Sequence, residues 1–293
     1  MTRLLLLTAI LLLAPLPAAC AELTVRDATG ATIRLAAPAR RIVSLAPHLT
    51  ENLFAAGAGD RLVGVVEYSD HPEAARRIPR VGGYALPDLE GIVARRPDLV
   101  LAWAGGTPAA VVERLRGLGL TVFQMQQDRL GDIPAGIEQL GRLAGTETAA
   151  GAAAARFRER LAALRQRHAG QAPVSVFYQV WHQPLLTVGG GQIINEAIRL
   201  CGGRNVFEAL PGLAPAVSVE AVLAADPEAI VASGMGRDTP VGLEGWRRWT
   251  RLKAVARGNL FFVPADLMQR ASPRLLDGAE RLCRHLDTAR ARR

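Results

Sequence analysis

The side chains with which this 293-residue chain could do chemistry are few and scattered. Three of its five histidines, His48, His71 and His182, fall in loops after apolar runs, and with Asp266 they could supply ligands to a transition metal. No two histidines have a close spacing such as H-x-x-x-H, which would put both on one helix face. An exported metal-dependent hydrolase working through His182 and Asp266 is the enzyme this set would permit. Other catalytic signatures are missing from the sequence: there is no G-x-S-x-G elbow, no P-loop and no G-x-G-x-x-G after a strand. Gly189-Gly190-Gly191 serves equally well as a plain turn. No nucleophile stands beside a recognisable base. The residues therefore predict no catalytic group, no metal site and no cofactor: a protein that holds a molecule rather than transforms it.

What it would hold is indicated by its aromatic residues. In parallel α/β sheets, ligands bind beyond the carboxyl ends of the strands, so residues just after predicted strands are the candidates. The first half offers Pro47 and His48, then Glu67, Tyr68 and Asp70, then Tyr84, then Trp103. The second half offers Tyr178, Trp181 and His182, then Leu185 and Leu186, then Asp266 to Arg270. Five of the seven Trp and Tyr residues fall in these places, which predicts a broad, flat, partly apolar ligand such as a ring system. Trp246 and Trp249 lie in a helical pattern and are expected to pack.

Those loops need strands and helices to hold them. Ile42 to Leu45, Leu62 to Val66, Leu99 to Trp103 and Val122 to Met125 are short apolar runs of the kind buried on both faces of a parallel sheet. Thr50 to Ala56, Leu89 to Arg95 and Pro108 to Leu118 read as the helices between them. The alternation resumes with strands at Val174 to Tyr178, Ala229 to Val231 and Leu260 to Val263. One unit recurs. Asp88-Leu89-Glu90 opens an apolar helix that ends before Arg96-Pro97-Asp98-Leu99, and Ser218-Val219-Glu220 opens another before Asp226-Pro227-Glu228-Ala229. In each, a capping residue precedes a glutamate by two positions and a proline follows it by seven. A weaker echo pairs Glu51 to Gly57 with Glu196 to Gly202, each a helix closed by glycine. The chain thus reads as two similar α/β halves. Between them Glu147 to His168 is rich in helix formers, with an apolar stripe at Phe157, Leu161 and Leu164. A helix there, about 33 Å long at 1.5 Å per residue, would act as a strut and permit only modest hinge motion.

The chain's beginning sets the compartment. Arg3, the apolar run Leu4 to Leu13 and the small-residue stretch ending at Ala21 have the order of a secretory signal. Cleavage after Ala21 is expected, with lipidation of Cys20 as the alternative. Cys201 and Cys283 then remain, and an even pair in an oxidising compartment reads as one disulfide, the alternative being two separate buried thiols. The net charge of +8 is carried almost wholly by scattered arginines, with Lys253 the one lysine. Without aromatic-basic interleaving it reads as solvated surface rather than a nucleic-acid interface. The expected division is a signal peptide over 1–21, a lobe with a short β extension over 22–145, an interlobe helix within 146–170 and a second lobe over 171–293.

Several stretches resemble one family. Arg41-Ile42-Val43-Ser44-Leu45-Ala46-Pro47 with Thr50-Glu51, Tyr68-Ser69-Asp70, Pro97-Asp98-Leu99-Val100 with Trp103, Leu200-Cys201-Gly202-Gly203 with Asn205, and Arg270-Ala271-Ser272-Pro273-Arg274 are similar to the helical-backbone, class III, substrate-binding proteins of ABC importers. The similarity runs from about residue 41 to 285 and is greatest to the cobalamin-binding members. It implies an α/β fold of two Rossmann-like lobes with parallel sheets joined by one long helix, and a monomer in the periplasm. It also implies delivery of a corrinoid such as cobalamin to a permease and ATPase complex, with an iron siderophore or haem as the alternative cargo. Tyr68, Trp103 and Asp266 match cobalamin-contacting positions, and Tyr84, Trp181, Leu186 and Arg270 complete the expected ligand set. Cys201 and Cys283 match a family disulfide. Glu90 and Glu220 match surface glutamates, one per lobe, that dock on permease arginines. The sequence departs from the pattern at Tyr84 and Ala214, where the cobalamin binders have Trp, and at Leu186, where they have Phe; Trp181 and Met268 are the candidates to compensate. The extension Glu22 to Ala39 reads as a β-hairpin around Gly30 and leans toward siderophore and haem binders.

Overall fold

The computed structural model describes residues 22–234 and 242–293. The expected signal peptide, its cleavage site and Cys20 lie outside the described residues. The chain opens with a hairpin, β1 (Leu23–Arg26) antiparallel to β2 (Thr32–Leu35). Its turn is tied by Asp27, whose Oδ1 accepts from the Thr29 and Ala31 amides. There follow β3 (Ile42–Ser44), α1 (Pro47–Ala55), β4 (Leu62–Val65), α2 (Leu89–Ala94), β5 (Leu99–Trp103), α3 (Ala109–Gly117), β6 (Val122–Met125) and α4 (Asp132–Ala144). After the long α5 (Glu147–Arg167) come β7 (Val174–Gln179), the short pair β8 (Trp181–His182) and β9 (Leu185–Leu186), α6 (Ile193–Leu200), β10 (Gly203–Asn205) and α7 (Val219–Ala225). The chain closes with β11 (Ala229–Ala232), α8 (Lys253–Ala256), β12 (Leu260–Phe262), α9 (Ala265–Met268) and α10 (Leu275–Ala291).

The two halves repeat. The first sheet runs β4-β3-β5-β6 and the second β10-β7-β11-β12, all parallel, so each strand of one half has a counterpart in the other. The interior strands β5 and β11 are apolar throughout, with Leu99 to Ala102 and Ala229 to Ala232 fully buried, as a sheet covered by helices on both faces requires. The repeated unit extends to its capping atoms. Asp88 accepts from the Gly91 amide at the start of α2, and Ser218 accepts from the Ala221 amide at the start of α7. Both helices then turn through a residue of positive φ immediately before the proline, Arg96 (46°) and Asp226 (42°). Helices α1 and α6 both close on a left-handed glycine, Gly57 (φ 76°) and Gly202 (φ 67°).

One helix joins the halves. α5 has 21 residues and buries Ala150, Ala154, Phe157, Leu161 and Leu164, the predicted stripe among them. A disulfide between Cys201 and Cys283 ties the end of α6 to α10 across 82 residues. The tail arginines, read as solvated surface, are in fact fastened down: Arg290 donates to Ala172 O, and Arg293 pairs with Glu228.

Two placements differ from the sequence reading. Tyr178 lies inside β7, which runs one residue further than expected, and is fully buried rather than at a strand-end loop. Met268 is fully buried, its sulfur against Gly278 of α10, so it adds no surface to a cleft. Trp246 packs as expected, at the end of a short 3-10 turn in the core, its indole N–H donating to Gln179 Oε1 at 2.7 Å.

Candidate ligand cleft

The carboxyl ends of the two sheets face one cavity of about 420 Å³, lined by both halves. From the first half it takes the residues just after β3, the loop after β4, Tyr84 and the end of β5. From the second it takes Gly234, just after β11, and the segment after β12.

The wall from the first lobe is aromatic. Tyr68 and Tyr84 are 61% and 52% exposed, and Trp103 is half-buried. Large apolar faces left uncovered beside a concavity are surfaces for a ligand. Trp103 is aimed from below: the plane of its ring lies over Gly106, where an added Cβ would come within 2.0 Å of it, and its amide donates to Thr107 Oγ1. His48 meets the Trp103 ring edge-on, 5.3 Å between centroids. Burial, and secondarily the charge of Arg270, lower the His48 pKa to about 4, so its imidazole is neutral near pH 7.

The wall from the second lobe is charged. Asp266 accepts from Arg274 at 2.7 Å. Arg270 shares its Nη1 between Glu51 and Asp70 at 2.8 Å each, and its Nη2 donates to Tyr68 O at 3.0 Å. Burial opposes the charge of this guanidinium, but its hydrogen bonds and ion pairs with the two carboxylates outweigh burial and raise its pKa. For Asp70 burial acts upward, yet the bond and charge of Arg270 bring its pKa below the usual carboxylate range.

The cleft thus brings together Tyr68, Tyr84, Trp103, Asp266 and Arg270 of the expected ligand set, but its lining does not include Trp181 or Leu186. Those two are directly paired in the β8–β9 hairpin, where the Trp181 N–H donates to Gln183 O and Leu186 bridges Ala216. The hairpin is occupied with its own lobe, since Val217 N donates to Leu185 O and Thr187 N to Pro215 O. His182 sits on the same hairpin and does not line the cleft with Asp266. Among the described residues no group of three or more His, Cys, Asp or Glu is placed to hold a metal.

One functional-looking group was missed by sequence reasoning. Glu51, read as part of a helix and of a family-like stretch but given no role, has a side chain that is 2% exposed and carries three partners from the other lobe: Arg270, Arg274 and Ser272. A signal was available in Arg270-Ala271-Ser272-Pro273-Arg274, since two arginines and a serine so close demand an anion. Glu90 and Glu220 occupy equivalent second positions of α2 and α7 and are both exposed. Bonds from its own amide and from the Ser218 hydroxyl lower the Glu220 pKa, keeping it ionised.

Comparison with known proteins gives this geometry a lineage. A model of the periplasmic binding protein family matches residues 42–267. The vitamin B12-binding protein of Vibrio cholerae serotype O1 is 38% identical over 253 residues, covering 86% of this chain and 91% of its own. That of Yersinia pestis is 35% identical over 272 residues, covering 93% and 94%. The crystal structure of the periplasmic vitamin B12 binding protein BtuF of Vibrio cholerae superposes with a TM-score of 0.80, covering 86% of this chain and 98% of that one at 38% identity. A periplasmic heme-binding protein from Pseudomonas aeruginosa superposes at 0.73, covering 84% and 91% at 27% identity. Two parallel α/β lobes, one connecting helix and a cleft at their facing strand ends are thus an inherited arrangement, and the chain belongs to the periplasmic binding protein family.

Proposed function

We propose that this protein is the substrate-binding component of an ABC importer, taking a corrinoid, cobalamin, in the cleft between its lobes and handing it to the membrane permease. The observation that carries this reading is the pairing of uncovered aromatic faces, Tyr68, Tyr84 and Trp103, with a charged opposite wall, Asp266 and Arg270. A flat macrocycle with polar side arms meets both requirements: its ring stacks on one wall and its amides bond to the other. The B12-binding relatives support the same cargo. The protein acts as a binder and performs no reaction on its cargo. Residues 1–21 are the export signal, removed in the periplasm, with a lipid on Cys20 as the alternative form. Residues 22–145 and 171–293 are the lobes, and 146–170 hold the interlobe helix. Glu90 and Glu220, one per lobe at equivalent places, are the docking charges that register both lobes on the permease; charges of this kind steer docking more than they add affinity.

A second reading, haem or an iron siderophore as the cargo, is favoured by the exposed phenols of Tyr68 and Tyr84, since hard oxygen donors suit ferric iron. Spectroscopic titration decides between them. Cyanocobalamin should bind tightly at one per chain, and Trp103→Ala should weaken it by about 2–3 kcal/mol, on the order of 50-fold. Absence of binding at micromolar cyanocobalamin, with saturable binding of haemin or a ferric siderophore, would replace the first reading by the second.

A further inference from the structure

The chain crosses between the lobes once, yet among the side chains that join them are two glutamates that the internal repeat relates. Glu51 stands six residues before the closing glycine of α1, and Glu196 six before that of α6. Each carboxylate reaches the other lobe, at the segment leading into that lobe's last helix. Glu196 Oε2 accepts from Leu130 N, ahead of α4, at 2.5 Å, and its Oε1 faces Arg165 at 3.4 Å. Glu51 Oε2 accepts from Ser272 Oγ, ahead of α10, at 2.6 Å, while its Oε1 receives Arg270 at 2.8 Å and Arg274 at 3.3 Å.

The equivalent ties have different surroundings. The Glu196 side chain is 26% exposed and borders a separate groove of about 390 Å³ together with Arg165, His168 and Arg199. Glu51 is buried against the wall of the ligand cleft. A buried ion pair is poor value for stability alone, because apolar residues of the same volume would serve as well or better. Its use here lies in where it holds Arg270. That guanidinium, from the second lobe, donates to Tyr68 O in the first. Tyr68 sits at φ 62°, a left-handed conformation that a residue with a Cβ keeps only when its surroundings impose it. The same turn is closed by Asp70 N donating to Tyr68 O.

We infer that Glu51 is a positioning residue for ligand recognition: anchored by Ser272 and Arg274, it fixes the Arg270 guanidinium against the Tyr68–Asp70 turn, so that the cleft walls keep one separation and the Tyr68 ring one direction. This deepens the proposed cleft function and rests on it. Three isosteric or near-isosteric variants test it. Glu51→Gln removes the charge that holds Arg270. Ser272→Ala removes only the donor on Glu51 Oε2, leaves every charge in place and provides the test should Glu51→Gln not fold. Glu196→Gln breaks the equivalent tie far from the cleft.

In ligand-free protein, amide hydrogen exchange over residues 68–70 should rise in Glu51→Gln and Ser272→Ala and stay at the wild-type rate in Glu196→Gln. Cyanocobalamin affinity should fall about tenfold in Glu51→Gln, the scale of one lost charged hydrogen bond, and be unchanged in Glu196→Gln. In an Arg270→Met background Glu51→Gln should cost no further affinity, because its effect passes through that arginine. Wild-type exchange at 68–70 in Glu51→Gln and Ser272→Ala, or affinity losses that simply add in the double variant, would overturn the inference. If the wild-type protein binds no corrinoid, the proposed cargo fails by itself, and the exchange measurement still decides the role of Glu51.

Discussion

The first lobe brings every Tyr and Trp side chain in the cleft lining, Tyr68, Tyr84 and Trp103, beside His48 and Asp70. The second brings none and supplies Asp266, Gln269 and Arg270, although both arise from one strand order. The repeat therefore governs position and leaves chemistry free. At the proposed docking surfaces the lobes match closely: Asp88 and Ser218 cap equivalent helices, and Glu90 and Glu220 follow at the same offset. Where they meet the ligand they diverge, because a planar molecule between two walls needs one to stack on and one to bond with. The ties show the same rule, since equivalent glutamates cross between lobes but only Glu51 bonds a residue of the cleft wall, Arg270.

Three measurements would break or sharpen this comparison. The largest effect is expected from the feature both lobes share. Reversing both proposed docking charges, Glu90→Arg with Glu220→Arg, should abolish stimulation of the transporter's ATPase while leaving cargo affinity intact, and each single reversal should retain part of it. Loss of cargo affinity in the double variant would show that these residues act on the cleft instead.

The second touches the second lobe alone. Its disulfide closes a loop of 82 residues in sequence, and replacing Cys201 and Cys283 by serine should cost about 4–5 kcal/mol. Denaturant unfolding should then separate into two transitions, the lower one belonging to the second lobe. A single transition at the wild-type midpoint would mean that the bridge contributes nothing and that the lobes unfold as one.

The smallest effect belongs to the first lobe. His48 has a folded pKa of about 4 against an ordinary 6.5, so the unfolded chain binds more protons between those values. Stability from this group is complete above pH 6.5 and is lost as pH falls toward 4, by at most about 3 kcal/mol. Burial lowers the pKa of His71 and His285 as well, so the quantity to measure is the difference between wild type and His48→Gln across pH 4 to 6.5. A difference that does not vary with pH would place His48 in a more open environment than the one described.

Much of the fold was legible because its signals are local. The buried strands are apolar runs, the caps Asp88 and Ser218 are adjacent to what they cap, and Pro97 and Pro227 stop their helices in place. Even the relation between Glu51 and Glu196 was visible as a spacing to glycine. What the spacing lacked was the partner: Glu51 meets Arg270 across 219 residues and Ser272 across 221, and no local pattern encodes such distances. Trp181 and Leu186 were expected in the cleft because they follow a strand. The Gln183-Pro184 turn folds them onto each other, and a hairpin satisfied within its own lobe need not reach the ligand. Tyr178 was misjudged through one residue of strand length, which was enough to exchange solvent for core.

The single passage of α5 between the halves has a consequence for how such a molecule can arise and be divided. Every strand of one sheet precedes it and every strand of the other follows it, so each lobe is an unbroken stretch of sequence. Copying one gene segment and joining the copies through a helix would suffice to build the architecture, after which each copy could change its loops without disturbing its twin. By the same geometry, a chain cut within that helix would leave two fragments, each owning a complete sheet, that could find one another again through their crossed glutamates.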